Sequence, residues 1–206
     1  MTDASTFERV ITNGGVAVFP ADTVYGLACA PDDPAAVERL YALKGRAPDK
    51  PAAVMFFSLA RALNALPETP PRTRAALEAL LPGPVTLLLP NPGHRFPLAS
   101  GPDPDTLGIR VPALAALSTV GVPVLQSSAN RAGGADARTL DDVPERIRAG
   151  ADLVLDGGEL PGTPSTVIDL RRYEETREWR VLRAGAMPPE AIATVLSPPA
   201  HAPEEP

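Results

Sequence analysis

Residues 16–27 read VAVFPADTVYGL, an apolar run that ends in a polar turn. The β-branched and aromatic residues of VAVFP predict a strand over 16–20. Asp22 and Thr23 then fall in a loop that Pro20 opens, and Gly26 permits an unusual backbone angle. The simplest interpretation is a strand-to-helix turn that Asp22 or Thr23 caps. Polar side chains at a strand end can also bind a ligand, and this second interpretation stays open.

Seven further runs of apolar and β-branched residues predict strands, at 52–57, 85–90, 106–111, 122–126, 152–156, 165–170 and 179–184. Helical spacing predicts helices at 4–12, 34–44, 72–80, 113–119, 140–148 and 188–196. Strands mixed with helices predict an α/β fold. Because 152–184 holds no helix long enough for a crossover, we expect a mixed sheet. We expect a single domain over residues 1–197 and a disordered proline-rich tail at 198–206.

The composition excludes several classes of protein. The net charge of −6 argues against a surface that binds nucleic acid throughout, although a local basic groove stays possible. Cys29 is the only cysteine, which excludes a disulfide framework and fits a reducing cytoplasm. Two histidines make a histidine-based metal site or proton relay a poor hypothesis. No apolar run approaches the roughly 20 residues that span a bilayer, so we expect no membrane association.

The segment YALKGRAPDKP, residues 41–51, holds both lysines of the chain, Lys44 and Lys50, with Arg46 between them. Cations near a helix C-terminus interact favourably with the helix dipole, which explains Lys44 and Arg46 without a ligand. The helix dipole explains Lys50 poorly, because that residue lies beyond Pro48 and outside the helix. Three cations that converge from a loop could instead hold the phosphates of a nucleotide. The sequence contains neither a Walker A motif nor GxGxxG, so such a site would be of another type.

Three more strand ends carry polar groups. QSSANRAGG (126–134) offers serine hydroxyls, the Asn130 amide and two glycines, and GTPSTVID (162–169) places Ser165 at the start of a strand. Arg110 and Arg183 each stand at the end of an apolar strand, where an arginine is either paired or available to an anion. Taken singly, the serines are explained as ordinary loop and strand polarity.

Together these loops predict one ligand site, because α/β sheets bind ligands at strand ends. The inventory is cations, hydroxyls and an amide, without a histidine or a carboxylate pair. It suits neutralisation of phosphate charge and recognition of a small polar molecule. It suits acid–base or covalent catalysis poorly.

The motifs PADTVYGL, KGR followed by KP, LPGPVT, IRVP, SSAN, STVID and RAG occur here in that order. In this order they resemble the YrdC/TsaC family of L-threonylcarbamoyladenylate synthases, over about residues 7 to 190. The resemblance implies a twisted open mixed sheet with surrounding helices and a concave ligand face. It also implies a reaction in which L-threonine, bicarbonate or CO2, and ATP give threonylcarbamoyl-AMP and pyrophosphate. That product serves the threonylcarbamoyl modification of a tRNA adenosine, so tRNA or tRNA-modification proteins become possible partners.

The resemblance also implies site residues by position in these motifs. L-Threonine would be held by Thr23, Arg110, Ser128 and Ser165, with Arg110 on the carboxylate. ATP would be held by Arg46, Lys50, Thr106, Asn130, Thr139 and Arg183, and Arg138 could take the place of Thr139. Lys44 and Arg46 would neutralise charge at the reacting groups. Mg²⁺ is expected with ATP; since the sequence shows no acidic cluster for it, we predict no metal site built by the protein alone.

Two other hypotheses use the same residues. One is an RNA-binding module with a basic concave face, which the net charge of −6 disfavours. The other is a paralogue that binds nucleotide but acts slowly or on another acceptor.

Overall fold

The computed structural model describes residues 3–196, so the predicted tail at 198–206 lies outside the described residues. Within them, nine strands form one sheet in the order β7-β1-β2-β6-β3-β5-β4-β8-β9. The strands are β1 Ala17–Pro20, β2 Tyr25–Cys29, β3 Ala53–Met55, β4 Val85–Pro90, β5 Thr106–Arg110, β6 Val124–Ser128, β7 Leu153–Val154, β8 Thr166–Asp169 and β9 Arg180–Arg183. Three neighbouring pairs are parallel (β1–β7, β3–β5 and β4–β8), and the other five are antiparallel. The mixed, open sheet that was predicted is thereby confirmed.

Helices cover the sheet. They are α1 Asp3–Thr12, α2 Pro34–Lys44, α3 Leu59–Ala65, α4 Pro71–Leu80, α5 Pro97–Ser100, α6 Glu145–Gly150, α7 Tyr173–Thr176 and α8 Pro189–Leu196. Short 3-10 turns lie at Ala115–Leu117 and Leu140–Asp142. None of the helices within residues 3–196 has the length and apolar character needed to cross a membrane.

Local signals fix α2, the helix that leads into the lysine segment. The Asp33 carboxylate accepts hydrogen bonds from the amides of Ala35 and Ala36, and Pro34 occupies the first turn. Gly45 ends the helix with a φ of 63°, a left-handed conformation that glycine adopts without steric cost. These caps place Lys44 in the last helical turn.

The two faces of the sheet differ in character. One face, which we call the covered face, carries large apolar residues packed under α2, α4 and α8, including Val54, Leu87, Leu107, Ile109 and Leu125. The opposite face, which we call the cavity face, carries small and polar residues in its middle, including Ala53, Thr86, Gly108, Gln126 and Ser128. Residues alternate between the faces along each strand, so Thr86 and its neighbour Leu87 point in opposite directions.

The β1–β2 end of the cavity face is apolar. Phe7 of α1 packs edge-to-face on Phe19 at 5.2 Å and on Phe57 at 5.5 Å between ring centroids. Met55 and Val124 belong to the same apolar cluster as these three phenylalanines. Helix α1 therefore closes one end of the cavity face and leaves the remainder open.

Two predictions about the first motif were wrong. PADTVYGL does not lead from a strand to a helix, because its second half forms β2, paired antiparallel with β1. Gly26 has no left-handed backbone angle; a methyl group there would lie 2.8 Å from the Phe19 ring, so close packing requires the glycine. Strand β2 is buried along its whole length, and a short buried run carries no alternating pattern to reveal it.

Two predicted helices are also shorter than expected. Residues 113–119 form only the 3-10 turn at Ala115–Leu117. Residues 140–148 divide into a 3-10 turn and α6, since Pro144 separates them and cannot continue the hydrogen-bonded ladder. The short helices α3, α5 and α7 were not predicted, because segments of four to seven residues show little periodicity.

Candidate active site

A cavity of about 380 Å³ opens on the cavity face, over strands β6, β3, β5, β4 and β8. Ala53 and Gly108 face it from adjacent strands, where they are partners in register. Side chains of this size leave room above the sheet for a ligand. Six of the predicted site residues line the cavity: Arg46, Thr106, Arg110, Ser128, Ser165 and Arg183.

Arg110 is buried with only 3% of its surface exposed, and it is paired. Its Nη2 donates to Asp22 Oδ1 and, at 2.6 Å, to Thr23 Oγ1. Its Nε atom is buried and has no partner among the described residues. Burial lowers the pKa of Arg110, and the nearby charge of Asp22 opposes that shift. The turn 21–24 thus fixes the guanidinium and leaves it with unused hydrogen-bonding capacity.

Arg183 and Ser165 form a second group on the opposite side of the cavity. Arg183 Nη2 donates to the Ser165 carbonyl at 2.6 Å and contacts its hydroxyl at 3.2 Å. The Ser165 hydroxyl also shares a hydrogen bond of 2.9 Å with Thr86. Strands β8, β9 and β4 therefore hold one arginine and two hydroxyls together facing the cavity.

Lys44 does not line the cavity but lies directly behind Ser128 and Asn130, 3% exposed. Its ammonium donates to the Ser128 carbonyl at 2.7 Å, to the Asn130 carbonyl at 3.0 Å and to the Asn130 side-chain oxygen. These contacts use the three donors of a lysine. Burial, followed by the charge of Arg46, lowers the pKa of Lys44 from 10.5 to about 8. Lys44 therefore organises the SSAN turn from inside the protein.

Asn130 is engaged in the same turn. Its Nδ2 donates to the Gly134 carbonyl at 2.6 Å and contacts Asp136 at 3.3 Å, while its Oδ1 accepts from the Ser128 hydroxyl at 2.8 Å. Asn130 as a whole residue is 7% exposed, and it does not line the cavity. The structure thus brings Lys44, Ser128 and Asn130 together, with Ser128 nearest to the cavity.

The loop after α2 carries Arg46 and Lys50. Arg46 lines the cavity, donates to the Pro51 carbonyl at 2.6 Å, and lies 5.8 Å above the centre of the Tyr41 ring. The Tyr41 hydroxyl donates to the Lys50 carbonyl at 2.8 Å, which fixes the loop backbone. The Lys50 side chain is exposed and does not line the cavity.

Thr139 and Arg138 lie outside the cavity surface. The Thr139 hydroxyl caps the 3-10 turn at 140–142 in a reciprocal arrangement with Asp142. Arg138 pairs with Glu159 at 2.7 Å. The structure therefore brings neither Thr139 nor Arg138 to the cavity.

Sequence reasoning missed six polar lining residues that the geometry brings in: Thr86, Ser100, Asp103, Gln126, Asp136 and Arg171. Arg171 follows β8 directly and binds Asp169 through two nitrogens, at 2.9 and 2.7 Å, while contacting Thr106 at 3.3 Å. Its place just after a strand was a usable signal, the same that identified Arg110. Asp103 and Gln126 carried none, because the first lies in a proline-rich loop and the second inside a strand.

Four arginines (Arg46, Arg110, Arg171 and Arg183) and two carboxylates (Asp103 and Asp136) line the cavity. Arg110 and Arg171 are paired with the carboxylates of Asp22 and Asp169, whereas Arg46 and Arg183 donate to backbone carbonyls. An anionic ligand would therefore be attracted, and guanidinium groups suit carboxylates and phosphates in particular. Within residues 3–196, no three side chains of His, Cys, Asp or Glu are grouped to hold a metal ion.

Comparisons with known proteins identify the family of the chain. A family model described as "Telomere recombination", covering the Sua5, YciO and YrdC proteins, matches residues 9–185. The threonylcarbamoyl-AMP synthase of Nitrosococcus oceani is 38% identical over 82% of this chain and 94% of its own length. The threonylcarbamoyl-AMP synthase of Chromohalobacter salexigens is 36% identical over 81% of this chain and 92% of its own.

A crystal structure of Pyrococcus abyssi Sua5 complexed with L-threonine superposes with a TM-score of 0.81 at 31% identity. The match covers 93% of this chain but only 56% of the Pyrococcus chain, so this chain spans a little over half of that protein. Escherichia coli YciO shares the fold, with a TM-score of 0.72. With a family model over residues 9–185 and relatives of this similarity, the chain belongs to the Sua5/YciO/YrdC family.

Proposed function

We propose that this protein is a threonylcarbamoyl-AMP synthase, an enzyme that transfers the AMP part of ATP to a carbamate formed from L-threonine. The observation that carries the proposal is the convergence of Arg46, Arg110 and Arg183 on one cavity lined with hydroxyl groups. Curated relatives of similar length carry the same activity in their names, which supports it.

The cavity divides into two parts under this proposal. Arg110, held by Asp22 and Thr23, would bind the threonine carboxylate, with Ser128 and Ser165 completing the amino-acid site. Arg46, Thr106 and Arg183 would bind ATP from the cavity surface. The exposed Lys50 would reach the nucleotide from the adjacent loop. Asn130 would act through the turn that it stabilises, and Thr139 would need a rearrangement of its cap to contact ATP.

The reaction needs little proton transfer from the protein. The neutral threonine amine adds to the carbon of CO2 and releases one proton to solvent, which gives a carbamate. Starting from bicarbonate, the amine displaces hydroxide, and its proton leaves with that hydroxide as water. A carbamate oxygen then attacks the α-phosphorus, the bond to the bridging oxygen breaks, and pyrophosphate leaves. Because the carbamate is already an anion, orientation and charge stabilisation are the main contributions of the side chains. Arg46 supplies this charge at the cavity surface.

Lys44 contributes in a different way. Its donors are used by Ser128 and Asn130, so its proposed role is to shape the SSAN turn and to add positive charge from behind it. Magnesium would enter with ATP. As no cluster of acidic or imidazole ligands occurs in residues 3–196, triphosphate oxygens and water would supply most of its coordination. We further propose that the product serves tRNA modification.

Pyrophosphate release tests the proposal directly. Purified protein is incubated with ATP, Mg²⁺ and bicarbonate, with and without L-threonine, and threonylcarbamoyl-AMP is identified by mass spectrometry. We expect release that depends on both threonine and bicarbonate. Release that is independent of threonine would refute the proposal and favour a nucleotide-binding paralogue.

A further inference from the structure

Gln126 lines the cavity, but it has been assigned neither to the amino-acid part nor to the ATP part of the site. Its residue surface is 6% exposed, and no described residue hydrogen-bonds its side-chain amide. Among the described residues, the fully buried side-chain atoms without a partner belong to Arg46, Glu68, Arg110 and Arg148, so the Gln126 amide is not sealed inside the protein. It is open to the cavity, and a ligand there can become its hydrogen-bond partner.

The position of this amide indicates which part of the cavity it serves. Gln126 precedes Ser128 by two residues on β6, so both side chains point to the cavity face. A methyl group on Gly26 would lie 3.2 Å from Gln126 Nε2, which places the amide toward β2 and the 21–24 turn. That turn holds Thr23 and Asp22, the partners of Arg110.

Strand order brings Arg110 to the same place. Strands β6 and β3 lie between β2 and β5 in the sheet. In the sheet register, Arg110 lies beside Met55, whereas Gln126 lies beside Ala53, two residues away along the strand. Both side chains line the same cavity, and Arg110 reaches Thr23 in the β1–β2 turn. Arg110 and Gln126 thus approach the proposed amino-acid site from two sides.

The chemistry of the amide narrows its partner further. It is neutral, with two donors and one acceptor, so it adds nothing to the neutralisation of carboxylate or phosphate. A hydroxyl group, which donates and accepts, is one complementary neutral partner, and the adenine edge of ATP is another. The placement of the amide beside Gly26 on β2 favours the hydroxyl of the amino acid. In an amino acid whose carboxylate is on Arg110, a β-hydroxyl is the group that distinguishes threonine from its isostere valine.

We propose that Gln126 is a specificity-determining residue that hydrogen-bonds the side-chain hydroxyl of the amino-acid substrate. This inference rests on the proposed function. A site built to hydrogen-bond a hydroxyl rejects the analogue that lacks it, since the amide would then stay unpaired. The enzyme should therefore prefer threonine to valine strongly, and that preference should depend on Gln126.

The test compares kcat/KM for L-threonine and L-valine, by pyrophosphate release, in the wild type and in Gln126→Met. Methionine keeps the length of the side chain and removes its polar groups. We expect the threonine-to-valine ratio to fall at least about tenfold, with KM for ATP within about twofold of the wild type. Gln126→Ala, which only enlarges an existing cavity, gives the same readout if the methionine variant does not fold.

Thr106→Val is the matched control, because it removes a hydroxyl from the ATP part of the cavity. It should change KM for ATP and leave the threonine-to-valine ratio as it is. An unchanged ratio in folded Gln126 variants, or an equal fall in Thr106→Val, would overturn the inference while the proposed function stands. If the wild type releases no pyrophosphate in response to threonine, the proposed function fails, and this inference fails with it.

Discussion

Leu87 and Thr86 are neighbours on β4 and lie on opposite faces of the same sheet. Leu87 is fully buried among the apolar residues of the covered face. Thr86 faces the cavity and hydrogen-bonds Ser165 at 2.9 Å. The same strand thus contributes to the core with one residue and to the site with the next.

This difference teaches how the fold carries a polar site at its centre. The covered face and the cluster around Phe7, Phe19 and Phe57 provide apolar burial, which stabilises the sheet. The middle of the cavity face is then free to hold small residues and arginines. The predictions below separate stability on the first face from ligand binding on the second.

The largest effect is expected on the covered face. Leu87→Ala should lower the free energy of unfolding by about 3 kcal/mol, because it removes a buried side chain and leaves a void. Thr86→Val, one residue away, should change it by less than about 1 kcal/mol. Urea denaturation measures both. Equal losses would show that the cavity face is also part of the structural core.

Lys44 differs from the arginines of the cavity, because it is a buried cation that hydrogen-bonds the SSAN turn. Lys44→Met should destabilise the protein by about 2 kcal/mol, since it leaves the Ser128 and Asn130 acceptors without their donor. ATP and threonine affinity should both fall as the SSAN turn loosens. Calorimetry that found only ATP affinity changed would instead indicate direct phosphate contact.

Arg46 should behave in the opposite way. Arg46→Ala should weaken ATP binding about tenfold, because a charge-assisted contact to phosphate is lost, and alter stability by less than about 1 kcal/mol. Arg74→Ala is the control, as that partly exposed arginine on α4 pairs with Glu78 and does not line the cavity. Equal ATP affinity in the two variants would remove Arg46 from the site.

The smallest effect is a dependence of stability on pH. Lys44 loses its proton near pH 8 in the folded protein, whereas an unfolded lysine keeps it to about pH 10.4. Between about pH 8 and pH 10 the unfolded state therefore binds more protons than the folded state, so the Lys44 contribution to the free energy of unfolding rises with pH.

We expect a rise on the order of 1 kcal/mol from pH 8 to pH 9, measured as the difference between wild type and Lys44→Met. Burial raises the pKa of the Cys29 thiol to about 12, so Cys29 makes an opposing contribution to the pH dependence. Both proteins contain Cys29, and the subtraction therefore removes this contribution. A difference that is flat or falls with pH would show that Lys44 stays charged.

Local signals explain which parts of this molecule the sequence predicted. Strand β4 at Val85–Pro90 and helix α2 at Pro34–Lys44 were placed at their observed bounds, since alternation and capping residues act over a few positions. Strand β2 was missed, because it is short and buried throughout. A single sequence carries little information about a short strand that is buried along its whole length.

The site was predicted in its residue types more than in its contacts. Arg110 was identified from its place at a strand end, but its pairing with Asp22 joins residues 88 apart in the chain. That Lys44 is buried beneath the SSAN turn likewise depends on packing between α2 and β6. Gln126 was the last residue of the strand predicted at 122–126, but it lies in the middle of β6, where the alternation of faces directs it to the cavity.

Under the proposed function, one cavity on the open face of the sheet binds both substrates. A crystal structure of the protein with ATP and L-threonine tests it most directly. We predict density for both ligands over β6, β3, β5 and β4, with the threonine carboxylate on Arg110 and nucleotide phosphate oxygens within hydrogen-bond distance of Arg46 or Arg183. Threonine or ATP bound elsewhere, or a carboxylate that makes no contact with Arg110, would contradict the account.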